Sequence, residues 1–213
     1  RESPFLPPEE NAEPALVTFS PANGVNRRSV SAHGITIEFV EGAGKVPVTS
    51  HMKASGPVLI AYERGLRGGG TTALAGLPEV SVRDITRKLS FVPSGHEYRE
   101  RHEPLYDLSV IYIYFDASAA QDTEASESWS SPRLLFEDAA VWHTVMKIKA
   151  AAQDATATGG HYLESLGLVL AHEIMRADSG KASPTAPARG GLAPWQQRKV
   201  ATYIDEHFAE PVT

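Results

Sequence analysis

The run from Leu108 to Phe115, Leu-Ser-Val-Ile-Tyr-Ile-Tyr-Phe, carries an apolar or aromatic side chain at every position except Ser109. Successive side chains of a strand point to opposite faces, so this segment has no face to offer water. It is expected to be a central strand covered on both sides. From about Ala15 to Phe115 the rest of the chain also keeps a period of two. Thr36-Ile37-Glu38-Phe39-Val40 alternates, Pro57 to Tyr62 is a compact apolar run, and Leu89-Ser90-Phe91-Val92 precedes a turn. Turn residues separate these runs: Pro21-Ala22-Asn23-Gly24, Gly42-Ala43-Gly44, Gly68-Gly69-Gly70 and Pro93-Ser94-Gly95. Many short strands at this spacing indicate an antiparallel sandwich or barrel.

The pattern changes beyond Pro132. Asp138 is placed to cap a helix whose stripe is Val141, Trp142, Val145 and Ile148. Gly159-Gly160 breaks the chain, and a second helix follows from about His161 to Arg176. Leu163, Leu166, Leu170 and Ile174 lie on one face of it, with Tyr162 and Val169 widening the stripe. The spacing of three, four and four approaches a seam that pairs with a like helix, which predicts a two-fold homodimer. The competing arrangement packs the same stripe on the first helix. Residues 1–14, rich in Pro and Glu, read as an arm, and residues 117–131 as a polar loop. Residues 178–191 have the Ser/Pro/Ala/Gly composition of a linker.

The final segment, from Leu192, contains Ala-Pro-Trp-Gln-Gln and ends Ala-Glu-Pro-Val-Thr. Pro194 suits a first helical turn. Val200, Ile204 and Phe208, with Tyr203 alongside, give one apolar face, and Glu210-Pro211 stops the helix. Leu192, Pro194, Trp195, Gln196, Val200, Tyr203, Ile204, Ala209, Glu210 and Pro211 resemble the first helix of the DNA-binding domain of AraC-type transcriptional regulators. The order of a β-rich unit, two helices, a linker and this helix resembles the same family. Phe91-Val92-Pro93-Ser94-Gly95-His96 is similar to its Pro-x-Gly turn between barrel strands. The resemblance implies an α+β chain. Residues 15–131 would form a cupin-like antiparallel β-barrel that binds an effector, and residues 132–177 helices that mediate dimer contact. Residues 192–213 would begin a helix-turn-helix domain. It also implies a small-molecule effector, and DNA reached through a further C-terminal domain.

Composition limits the alternatives. A net charge of −6, from 20 basic and 26 acidic side chains, argues against this segment wrapping nucleic acid by itself. The absence of cysteine excludes a disulfide framework and thiolate metal sites and fits a cytoplasmic setting. No apolar run is long enough to span a bilayer.

Tyr62, His96, Tyr98, Tyr112 and Tyr114 are the candidate ligand-binding residues, because Tyr and His combine an apolar body with a hydrogen-bonding tip. His51 and Arg64 are secondary candidates for an acidic ligand. His96, Glu97, His102 and Glu103 are close in sequence, and in an extended segment His96 and His102 share a face. This is the basis of the rival reading, a metal-dependent cupin enzyme. The cupin pattern of His-x-His followed by Glu is missing, since Tyr98 stands two after His96, so Arg99, Glu100 and Arg101 are expected as a solvated face. Ser94 lacks the glycine frame of a nucleophile elbow. Gly68-Gly69-Gly70 lacks the Lys of a phosphate loop and is expected to be a flexible loop. No catalytic residue, metal or cofactor is assigned, and the chain is read as a ligand-responsive regulator, not an enzyme.

Overall fold

A computed structural model describes residues 17–116, apart from 33 and 43, together with 129–153 and 159–178. The chain divides into two units, Arg1–Lys181 and Ala182–Thr213, and every described residue belongs to the first. The arm expected over 1–14, most of the loop over 117–131, the linker beyond Asp178 and the helix over 192–213 lie outside the described residues.

Among the described residues, ten strands precede two helices. They are β1 (Thr18–Ser20), β2 (Val25–Ala32), β3 (Ile35–Gly42), β4 (Val48–Lys53), β5 (Val58–Arg64), β6 (Arg67–Leu74), β7 (Leu89–Val92), β8 (Glu97–Pro104), β9 (Ser109–Phe115) and β10 (Arg133–Phe136). The helices are α1 (Ala139–Gln153) and α2 (Gly159–Asp178). The strands form two antiparallel sheets instead of one closed barrel. One has the order β1-β4-β8-β6 and the other β10-β7-β5-β9-β3-β2. Gly68-Gly69-Gly70, expected as a loop, lies inside β6 and pairs with β8.

β9 is the covered strand that its residues require. Val110, Tyr112 and Tyr114 join the core between the sheets, whereas Ile111, Ile113 and Phe115 join a second core beneath the helices. β5 divides likewise, with Val58, Ile60 and Tyr62 inward and Leu59 and Ala61 toward the helices. The large sheet is therefore the middle of three layers. Fully burying each aliphatic side chain of such a strand is worth roughly 1.5–3 kcal/mol, so β9 anchors both cores.

The helical layer forms where capping and periodicity agree. Asp138 Oδ1 accepts the amides of Ala140 and Val141, each at 2.9 Å, which fixes the start of α1. Val141, Val145 and Ile148 of α1 and Leu163, Leu166, Leu170 and Ile174 of α2 are all buried in the core shared with the large sheet. The four α2 residues expected at a dimer seam are thus covered within the chain. Of the apolar α2 side chains, Tyr162, Leu168 and Val169 remain exposed. Gly167 allows the close approach, since a Cβ there would stand 3.1 Å from the Ile35 side chain. Among the described residues no helix is long and apolar enough to cross a membrane.

Candidate functional site

Between the sheets lie two buried polar groups that differ in how well they are satisfied. The first joins β2, β3 and β9 to Val17, the residue before β1. Glu38 is 2% exposed, accepts from Arg27 and takes the Tyr114 hydroxyl at 2.8 Å. That hydroxyl in turn accepts the Val17 amide at 3.1 Å. Every polar tip has a protein partner, so the group acts as a structural clamp at the end of the sandwich.

The second group is different. β8 alternates strictly: Tyr98, Glu100 and His102 point inward, while Arg99 and Arg101 are exposed. Glu100, expected on a solvated face with its arginine neighbours, is instead only 5% exposed, because a strand cannot put consecutive residues on one side. Its Oε2 accepts the hydroxyls of Tyr62 and Tyr98, both at 2.8 Å, and these two hydroxyls also touch each other. Its Oε1 has no hydrogen-bond partner. Facing that oxygen at 3.6 Å each are Arg67 Nη1 and His102 Nδ1. Arg67 is 1% exposed and His102 2%. Arg67 Nη2 and both ring nitrogens of His102 also lack a protein partner.

Arg67 is inward because of a bulge. The register of β6 against β8 shifts between Arg67 and Gly69. Five residues along a regular strand reverse the face, yet Arg67 Nη1 donates to Thr72 Oγ1 at 3.1 Å, and both side chains are buried. The extra residue restores a common face. Gly70 makes this possible. Its φ is +127°, and a Cβ would lie 2.0 Å from the Arg101 carbonyl oxygen. Arg67 is held further by its Nε, which donates to the Val82 carbonyl at 2.6 Å.

Burial and the Glu100 carboxylate together push the Tyr62, Tyr98 and Tyr112 hydroxyls well above the ordinary tyrosine range, with burial the larger cause. At neutral pH they are therefore neutral donors. Around this second group the aromatic side chains enclose the Glu100 carboxylate, the Arg67 guanidinium and the His102 imidazole.

Of the expected ligand residues, Tyr62, Tyr98 and Tyr112 surround Glu100, and Tyr114 belongs to the Glu38 clamp. His96 does not join them. It lies in the β7–β8 turn, only partly buried, and its Nδ1 faces the Ser94 carbonyl at 3.2 Å. His51 is on the outer face, 2.8 Å from Glu97, and Arg64 is exposed at the end of β5. Six extended residues separate His96 from His102 by roughly 20 Å, so one ion cannot bridge them. The metal set of the rival reading is not assembled, and among the described residues no three His, Asp or Glu side chains converge as ligands. Arg67, Glu100 and His102 were absent from the expected ligand set. Alternation from Tyr98 was signal enough for the latter two; the bulge hid Arg67.

A separate surface cleft of about 270 Å³ lies beside α1, lined in part by Arg27, Arg28, Phe39, Glu63 and Lys149. Its Lys149–Glu63 pair, at 2.6 Å, is closed within the protein.

No protein-family model and no curated protein matches the chain. Solved structures do. An AraC-like transcriptional activator, CuxR, is 11% identical with a TM-score of 0.56, over 93% of this chain and 73% of that one. A cupin domain from Bordetella pertussis Tohama I is 10% identical with a TM-score of 0.34, over 43% and 93%. A cupin superfamily protein from Desulfitobacterium hafniense DCB-2 is 13% identical with a TM-score of 0.33, over 44% and 78%. The activator's likeness is one of fold alone: antiparallel sheets with helices packed on them.

Proposed function

We propose that this chain is the effector-binding region of a ligand-responsive transcriptional regulator, with the effector seated between the sheets beside Arg67, Glu100 and His102. One observation carries the reading. Three chemically distinct polar side chains, each at least 95% buried, meet with hydrogen-bonding capacity that no protein group uses. Each such group costs about 1–3 kcal/mol to leave unpaired, and native interiors keep few of them without a reason. A ligand that pairs with them supplies the reason.

The layering supports a route for the signal. Tyr62 and Tyr112 face the site, while Ala61, Ile111 and Ile113 of the same strands face the helices. Only the thickness of one sheet separates the effector from α1 and α2. A ligand that prefers one packing of that wall shifts the population of helix arrangements, and the helices would pass the bias to a second copy and to a DNA-binding domain beyond the linker. The expectations of a homodimer, of DNA contact through that domain and of a cytoplasmic setting belong to this proposal. The described region itself is not assigned to DNA, given the chain's net charge of −6.

Thermal-shift screening of the chain against a collection of small metabolites tests the reading. A true effector at about a hundred times its Kd adds roughly 2.7 kcal/mol, a rise of about 5–10 °C for a domain of this size. The rise should vanish in Glu100→Gln. A binder that is indifferent to Glu100, Arg67 and His102 would move the site elsewhere.

A further inference from the structure

We infer that the ligand of the interior site is an uncharged, hydroxyl-bearing organic molecule, neither an acid nor a metal cation. The inference rests on the interior site proposed above and narrows its chemistry.

The argument is one of charge balance and hydrogen-bond direction. Arg67 and Glu100 cancel each other at 3.6 Å inside the sandwich. An acid drawn to Arg67 would bring a second negative charge against Glu100, in surroundings that screen poorly. A cation drawn to Glu100 would meet Arg67 in the same way. The unused valences run in both directions: Arg67 Nη2 can only donate, Glu100 Oε1 can only accept, and the two His102 ring nitrogens also have no protein partner. A hydroxyl also donates once and accepts. Placed against Oε1, it can give its proton to Glu100 and receive one from Arg67 or His102. Spacings of 3.6 Å on either side of Oε1 are too long for direct hydrogen bonds. The faces of Tyr62, Tyr98 and Tyr112 supply apolar walls for a carbon skeleton.

The test uses probe pairs that differ in charge: D-glucose with D-gluconate, and benzyl alcohol with benzoate, alongside zinc chloride. Binding to the whole chain is read by calorimetry. The expected result is binding of at least one alcohol in preference to its acid by about tenfold or more, the scale on which an uncompensated buried charge discriminates. Glu100→Gln should reverse the preference toward the acid, because Arg67 is then unneutralised. His102→Gln, which retains a donor and an acceptor, should keep the preference for the alcohol and serves if Glu100→Gln does not fold. Preference for an acid or for zinc that is lost in Arg67→Met or His102→Gln would overturn the class while leaving the interior site standing. Alcohol binding that survives all three substitutions would overturn the site itself. Absence of binding by every probe also counts against the inferred class, while the wider metabolite screen still tests the site.

Discussion

A double-mutant cycle on Arg67 and Glu100 tests the physical claim on which the site depends. The perturbations are Arg67→Met, Glu100→Gln and the pair. Nη1 and Oε1 are 3.6 Å apart with 1% and 5% of their side chains exposed. At an effective dielectric of about 20, that separation gives an attraction of roughly 4–5 kcal/mol. Removing one partner leaves the other charge buried without its counterpart, and each single substitution should cost about 3–5 kcal/mol. Glu100→Gln spares an acceptor for the Tyr62 and Tyr98 hydroxyls, so its cost reports mainly on charge. Arg67→Met also forfeits the bonds to Val82 and Thr72, and should be the more costly. The double variant has no charge left to strand. It should be less destabilised than the sum of the singles by about 2–4 kcal/mol, against an additivity error of roughly 0.3–0.5 kcal/mol. Urea denaturation followed by tryptophan fluorescence gives the free energies. Trp129 is a suitable reporter, since it is buried with its ring centroid 5.4 Å from Phe91 and 5.2 Å from Phe115. Additive single effects, or a Glu100→Gln variant as stable as the wild type, would refute a coupled buried charge pair.

Three further outcomes follow from other parts of the fold. Tyr62, Tyr98 and Tyr112 have hydroxyls raised well above 10.0, so the folded state keeps protons that the unfolded state loses first; their contribution is complete below about pH 10 and is lost as pH climbs from there toward the folded values. Urea midpoints should fall between pH 9 and pH 11, and midpoints that stay level across that range would contradict this. Gly70→Ala should destabilise by several kcal/mol (above the 1–3 kcal/mol of an ordinary strained residue), as the added Cβ meets a carbonyl oxygen at 2.0 Å; a thermal melt within about 2 °C of wild type would contradict the bulge. Leu166→Glu with Leu170→Glu should unfold the chain, because both side chains are buried within one copy; sedimentation and circular dichroism that find a folded monomer would return these residues to an intermolecular seam.

How much of this was legible in the sequence depended on whether a pattern was longer than the event that interrupts it. Leu108 to Phe115 is an uninterrupted run, and its double-sided burial follows from composition alone. β10 spans only Arg133–Phe136, all half-buried, with a register shift inside it, and neither period can be read from so short a segment. Charge and parity conflict at Glu100: between two arginines it reads as solvated, yet its even spacing from Tyr98 fixes the inward face they share. His96 failed in the opposite way. Its even separation from His102 was sound, but β8 begins at Glu97, and the turn before it carries His96 away from the interior. Arg67 was beyond reach, since only the bulge decides that residues 67 and 72 share a face.

The stripe on α2 makes the same point at the level of assembly. Leu163, Leu166, Leu170 and Ile174 announce that a face must be covered, but periodicity carries no information about which chain covers it. What decides is the neighbouring surface. The outer face of the large sheet offers Ile35, Ile37, Leu59, Ile111, Ile113 and Phe115, and α1 offers Val141, Val145 and Ile148. That surface would itself be exposed if α2 turned outward to a partner. The intramolecular arrangement buries both faces at once, and loop closure between α1 and α2 costs far less than a bimolecular encounter. A seam-like stripe beside an apolar sheet face is therefore better read first as the lid of its own core. An association surface is then to be sought among what the lid leaves exposed, which on α2 includes Tyr162, Leu168 and Val169.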